Sequence, residues 1–426
     1  VLATRNLALP VTQWHTLNGL PDLSNGQWIF HADTTSPSAD PWFFVARESP
    51  AAVTVVVRDA ASLRAAVATA QPGTRILLAP GTYPGGFHFS QLQGAPGQPI
   101  VLGAEDPTQP PVLEGGANGI QLSDPAYLEL QDLVISDATG NGLNIDDGGS
   151  FDTPAHHIVL RRLRITDIGP AGNRDGIKLS GVTDFTVEHC TLERWGNGGS
   201  GIDMVGCHRG LIAHNLLRHT PESAATGANG VQTKGGSREV VVRRNRFEHT
   251  GARGVNIGGS TGLAFFRPPH VPGQENWEAR DIRVEGNTFI GATAPIAFVG
   301  VHQAVVRFNT LYRPGRWALR ILQENNEPGF VPCRLGQWTD NLVVFHSTEW
   351  ASGGVNIGGN TAPDTFSFAR NAWFSLDDPA RSRPTLPTPE TDGTYGQDPR
   401  FRNAPAGDLR LLPESPLRHL GAEALP

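Results

Sequence analysis

GVQTKGGSREVVVRRNRF, Gly230 to Phe247, sets one apolar alternation before a Gly-Gly turn and a second one after it. The pattern returns along the chain. Its first half recurs as GLNID from Gly142, GIKLS from Gly176, GIDMV from Gly201, GVNIG from Gly254, PIAFV from Pro295, ALRIL from Ala318 and GVNIG from Gly354. Its second half recurs as IVLRRLRI, FTVEHCTL, GLIAHNLL, IRVEGNTF, AVVRFNTL and WTDNLVVF, with Asn215, Asn245, Asn287, Asn309, Asn341 and Asn371 at one equivalent place and Leu163 and Cys190 before them. Repeats of about 22 to 42 residues are the mark of a stacked solenoid.

Two-residue alternation sends Leu143, Ile177, Ile202, Val231, Val255, Ile296, Leu319 and Val355 inward. Ile145, Leu179, Met204, Thr233, Ile257, Phe298, Ile321 and Ile357 follow them. If each coil stacks on the next, a recurring Asn can bond its counterparts above and below and so satisfy amides that would otherwise be buried unpaired. The chain therefore reads as all-β, a single-stranded right-handed parallel β-helix. A leucine-rich horseshoe would need a Leu consensus that is absent, and a propeller would need longer four-stranded blades. Upstream, SLRAAVATAQPGTRILLAPGTY predicts a short amphipathic helix capping the open core end, then the first strand. Residues 1–52 read as an N-terminal extension, 53–376 as the β-helix with loop insertions, and 377–426 as a Pro-rich segment closing the far end.

Gly 50, Pro 34 and Met 1 suit many turns and short strands. A net charge of −7 argues against nucleic-acid binding, and no apolar run is long enough to span a bilayer. Three cysteines, Cys190, Cys207 and Cys333, read as buried thiols, with a Cys190–Cys207 bridge as the alternative.

The outward position between the two inward ones gives a column of Asn144, Lys178, Asp203, Gln232, Asn256, Ala297 and Arg320. Asp146, Ser180 and Lys234 flank it on one side, and Asp175, Ser200, Asn229 and Arg253 on the other. Lys178, Asp203, Lys234 and Arg253 should share one wall, since coils stack about 4.8 Å apart. Such a cluster suits β-elimination from a uronate, which needs a base and positive charge or donors on the carboxylate as the enolate forms. Lys234 reads as the base, its pKa lowered by neighbouring cations, and Arg253 or Lys178 as the carboxylate partner. Asn256 and Gln232 read as assisting contacts. His208 and His214 are candidate acids, and Asp146 and Asp147 read as a turn.

Two insertions, STGLAFFRPPHVPGQENWEAR and LQENNEPGFVPCRLGQW, leave equivalent strand ends and should project beside the same face. They bring Phe265, Phe266, Arg267, His270, Trp277 and Trp338, residue types suited to sugar stacking and carboxylate binding.

The stretch PGTRILLAPGTYPGGFHFSQLQGAPGQPIVLGAEDPTQPPVLEGG resembles the opening of the chondroitinase B and alginate lyase family, polysaccharide lyase family six. With the coils and the tail DPRF…GDLRL…SPL…GA, the resemblance spans roughly residues 53–425. It implies a Lys base, placed at Lys234, and an Arg acid one coil later, where this chain has Gly258 with Arg253 at the start of that strand. The family's calcium-binding Glu pair is replaced by Gly227 and Asn229. NRDGIKLSG followed by GNGGSGIDMVG is similar to the calcium-dependent pectate lyases of family nine, which implies Asp175 and Asp203 as calcium ligands. The expectation is a secreted or periplasmic monomer that cleaves an acidic polysaccharide, possible calcium cofactor included. The rivals are a glycoside hydrolase using Asp175 with Asp203 or Asp146 and a non-catalytic carbohydrate-binding protein.

Overall fold

The computed structural model describes residues 53–426 except 170–171 and 221–225, together with five short strands among residues 1–52. The packing of that extension lies outside the described residues. From Thr54 onward the chain winds into three parallel sheets of 13, 12 and 10 strands, each strand hydrogen-bonded to its counterpart one coil away. The architecture is the expected right-handed parallel β-helix.

Each coil has three strands where the sequence offered two segments. VVVRRNRF bends in its middle, because Arg244 takes a left-handed φ of 54° and splits Ser237–Arg243 from Arg246–Glu248. The same bend recurs at His214, Phe308, Asp340 and Arg370. Its inner corner is where the Asn residues stack. Asn245 Nδ2 donates to Asn287 Oδ1 at 3.0 Å and to the carbonyl of Ile212 at 2.8 Å, and the ladder continues through Asn309 and Asn341 to Asn371. Glu390 ends it, accepting from Asn371 Nδ2 at 2.7 Å. Outside the corners, Arg162 and Arg370 pair with the carboxylates of Asp132 and Asp340 one coil below.

The inward alternation holds throughout except at Ile357, which is 41% exposed in the last strand of the ten-stranded sheet. The cap helix is present at Ala60–Ala68; Asp59 and Ser62 bond reciprocally at its start, and Leu63 and Ala66 are buried in the core end. All three cysteines are free and buried, so no Cys190–Cys207 bridge forms.

Two boundary expectations change. Stacking continues to Thr394–Tyr395, beyond residue 376. The last stretch of the tail does not plug the far end: Leu411, Leu417 and Leu420 pack outside the 12-stranded sheet against Leu342, Val344 and Phe374. The end is closed by Trp350, which stacks on Phe345 and meets Trp373 edge-on, together with Leu386 and Tyr395 of the closing segment. Trp338, expected in a surface loop, is wholly buried and stacks on Trp373.

Candidate functional site

The outward column is real. Along the ten-stranded sheet Asn144 pairs in register with Lys178, then Asp203, Gln232, Asn256, Ala297, Arg320 and Asn356. Lys234 is the last residue of the strand Asn229–Lys234, two residues beyond Gln232, and Asp175 lies in the turn before the strand Ile177–Ser180.

These side chains converge on one buried carboxylate. Asp203 is 1% exposed; Lys178 Nζ bonds its Oδ2, and Lys234 Nζ stands 3.3 Å from its Oδ1. Lys178 also lies 3.6 Å from Asp175, which is 2% exposed and accepts the Ser200 amide at 2.7 Å. Burial would drive the proton off Lys178, but the carboxylates of Asp203 and Asp175 outweigh it and hold its pKa above the ordinary lysine value. Asp175 moves the other way from most paired carboxylates. Burial first, and repulsion from Asp203 second, raise it to about 6 against the pull of Lys178.

That shift has a stability consequence. The folded chain holds the Asp175 proton more tightly than the unfolded chain, whose value is near 3.8. The associated stability is therefore full below that value and is lost as pH rises through about 6. At about 1.4 kcal/mol per pKa unit, Asp175→Asn should gain roughly 2 kcal/mol on the parent chain between about pH 4 and pH 7. Chemical unfolding of both proteins at the two pH values checks this; a difference that does not change with pH contradicts it.

The first insertion builds a wall beside the lysines. A cleft of about 350 Å³ is lined by Lys178, Ser180 and Lys234 from the sheet and by Thr261, Phe265 and Arg267 from the first insertion. Phe265 is 63% exposed at its rim. The two insertions are tied together: Phe330 of the second stacks on His270 and meets Phe266 edge-on, and Val331 N donates to the Asn276 carbonyl at 3.0 Å. Beneath them lies Glu278, fully buried, whose carboxylate accepts from the amides of Gly235 and Thr261, the Thr261 hydroxyl and the Asn325 amide. It thus fixes both loops to the residue that follows Lys234.

Several expectations move. Arg267 is not free to meet a ligand: its Nε is 2.7 Å from Asp147, which is 1% exposed in its side chain, so the turn residue Asp147 is the loop's anchor. Gly206 makes room for that arm, since a Cβ there would come within 2.2 Å of Arg267. His208 is buried under the same loop with Nε2 3.2 Å from the Gly236 and Arg267 carbonyls, and burial lowers its pKa; it is not placed to protonate a leaving group. His214 stacks on His189 at the far corner, away from the cleft. Trp277 packs beside His302 and Arg280, off the lysine wall, and His270 is taken up by Phe330.

Arg253 shares the face but not the cluster. Its register partner is Asn229, at the opposite end of the strand from Lys234, and its Nη2 pairs with Glu324 at 3.0 Å. Gly258 carries no side chain for a backbone reason: its φ is 89°, and a Cβ would lie 1.8 Å from the Val299 carbonyl oxygen. Asn229 is buried with Oδ1 unpartnered, Gln232 accepts from Ser200 Oγ at 3.3 Å, and Arg320 Nε donates to Asn356 at 2.9 Å.

Asp175 and Asp203 do not fit a calcium ion. Calcium asks for six to eight oxygen ligands, whereas the Lys178 ammonium bonds Asp203 and lies in ion-pair contact with Asp175, and the Ser200 amide donates to a further Asp175 oxygen. Among the described residues no three His, Cys, Asp or Glu side chains are grouped to hold a metal.

The composition carries one further signal. Of 34 basic residues only two are lysines, and both meet at Asp203. Glu278 and Asp147 gave no such signal, because their partners lie far away in sequence or on a different coil.

Comparison with known proteins bears on the fold. A family model described as a right handed beta helix region matches residues 118–311. A search of curated protein sequences returns no match. Among solved structures the chain is similar to an alginate lyase from Paenibacillus sp. str. FPU-7, at 18% identity over 73% of this chain and 99% of that one, with a TM-score of 0.51. It is similar to a GH136 lacto-N-biosidase from Eubacterium ramulus, at 14% identity over 76% of this chain and 62% of that one, TM-score 0.48. A PL6 polysaccharide lyase from Pseudopedobacter saltans aligns at 13% identity over 87% of this chain and 99% of that one, TM-score 0.47. At these identities the likeness is one of coil architecture.

Proposed function

We propose that this protein is a polysaccharide lyase that cleaves a uronic-acid-containing polysaccharide by β-elimination. The observation that carries the reading is the convergence of the chain's two lysines on one buried carboxylate at the floor of a cleft. Guanidinium cannot give up its proton at working pH, whereas a lysine amine can. Of the chain's 34 lysines and arginines, only Lys178 and Lys234 can therefore supply an amine base.

The roles follow from the contacts. Lys178, ion-paired with two carboxylates, stays charged and faces the uronate carboxylate, where negative charge builds as the enolate forms. Lys234, with one carboxylate contact, takes the proton next to that carboxylate. The electron pair left behind forms a carbon–carbon double bond, the glycosidic carbon–oxygen bond breaks, and the leaving oxygen is protonated from solvent. Asp203 positions both amines.

Hydrolysis is disfavoured by the same geometry. Its two carboxylates would have to reach the scissile bond, but Asp175 and Asp203 lie 2% and 1% exposed beneath the lysines. A secreted or periplasmic monomer suits a polymeric substrate; among the described residues no helix is long and apolar enough to cross a membrane.

The test is a panel of alginate, pectate, chondroitin and dermatan, with and without chelator, followed by the ultraviolet absorbance of unsaturated uronate. Absorbance should rise on at least one polymer and survive the chelator. Release of saturated reducing ends without that absorbance would replace this reading with hydrolysis.

A further inference from the structure

Beyond the lysine cleft the ten-stranded face carries a second group of cations. Arg253 and Arg320 stand on strands separated by Ala294–Val299, whose outward Ala297 is a small side chain between Asn256 and Arg320 in the column. Arg316 and Arg320 flank the Trp317 ring at 4.5 and 4.8 Å. Among the described residues only Arg253 of these three guanidinium groups has a carboxylate in ion-pair contact, Glu324 at 3.0 Å from its Nη2. Burial and the nearness of Arg253 push the Arg320 pKa below its ordinary value, so the group lacks negative charge.

The polar atoms around it are also short of partners. Asn256 is fully buried although it points outward from the sheet, and neither its Oδ1 nor its Nδ2 has a hydrogen bond. Arg253 Nε and Trp317 Nε1 are buried donors without an acceptor. A buried donor left unmade is costly, and most native structures avoid it. Several at one place mark where an acceptor belongs.

We infer that Arg253, Arg320 and Asn256 form a second carboxylate-binding subsite, in which Glu324 stands as an internal surrogate until a uronate carboxylate of the polymer displaces it. Glu324 can leave without unfolding its loop: its side chain is 37% exposed, while the next residue, Asn325, is held by Glu278 at 3.1 Å and by the Thr261 carbonyl at 3.3 Å. Lys178 and Arg320 occupy the same outward column on different coils, with Lys234 and Arg253 toward opposite ends of their strands, so a bound polymer would be read at two carboxylates. The inference rests on the uronate reading for its ligand, but not on cleavage.

Binding is therefore measured apart from turnover. Calorimetry with galacturonate and mannuronate tetrasaccharides, and with their carboxyl-reduced neutral forms, compares the parent chain with Glu324→Gln and Arg320→Gln. Glu324→Gln should tighten binding of one acidic tetrasaccharide about fivefold at low salt, the scale of a partly exposed ion pair, and leave the neutral forms unchanged. Arg320→Gln should weaken the same ligand about tenfold. Unchanged or weaker acidic binding by Glu324→Gln overturns the subsite, even in a chain that proves an active lyase. Tighter binding in a chain that cleaves nothing upholds the subsite and removes the lyase reading.

Discussion

Lys234→Arg is expected to lower the rate of uronate elimination by about 10²–10⁴-fold, the usual loss when a positioned base is removed, with little change in melting temperature. The substitution keeps the positive charge next to Asp203, so the buried carboxylate is not orphaned and the fold retains its ion pair. What it removes is an amine that can exist unprotonated. The loss should fall on kcat, because the proton is taken only on the way to the transition state. Lys178→Arg is a different case. A guanidinium can still neutralise a carboxylate, so the main effect should fall on KM. Steady-state kinetics on whichever polymer is cleaved, with thermal melts of both variants, separate the roles; full turnover by Lys234→Arg would place the base elsewhere.

Asn287→Leu is expected to cost about 3–5 kcal/mol of stability, the sum of several buried polar groups left unpaired at about 1–3 kcal/mol each. Asn287 is fully buried in the middle of the ladder. Its Oδ1 accepts from the Asn245 amide at 2.9 Å and from Asn245 Nδ2 at 3.0 Å, and its own Nδ2 donates to the Val242 carbonyl and to Asn309. Leucine leaves the Asn245 donors and the Val242 acceptor buried without replacement. Leucine is nonetheless tolerated at this corner elsewhere: Leu133 and Leu163 occupy it in earlier coils, both 1% exposed. The difference is the neighbour. No Asn stands immediately above or below Leu133 to be orphaned, and at Cys190 the ladder stops cleanly, its amide donating to Asn215 while Leu163 N reaches the thiol at 3.4 Å. Denaturant unfolding measures the loss; a cost under about 1 kcal/mol would mean that the ladder is not a stabilising element.

The contrast between Asn287 and Arg253 also explains what could be read in advance. Stacking makes equivalent residues neighbours, so any property that depends on register is legible in one dimension. The inward series from Leu143 to Ile321, the Asn column, and the meeting of Lys178, Asp203 and Lys234 are all of that kind. Properties that depend on the angle between strands are not. The bend at Arg244 rests on one left-handed residue of a type that gives no warning, so two segments concealed three strands. Arg253 was assigned the correct coil and the correct end of its strand, opposite Lys234; its pairing with Glu324 of the second insertion was not legible. The insertions were located by length alone. Their anchors, Arg267 on Asp147 and Glu278 under Thr261, join residues from separate coils or loops and were invisible until the loops were placed.

Running the cleavage in heavy-oxygen water tests the central claim most directly. Elimination makes its double bond from the substrate's own atoms, so mass spectrometry of the fragments should find the new unsaturated end and no solvent oxygen bound at the broken linkage. One heavy oxygen per cleaved bond on a saturated end would mean that water, not Lys234, attacks the polymer, and that the two lysines do something other than take a proton.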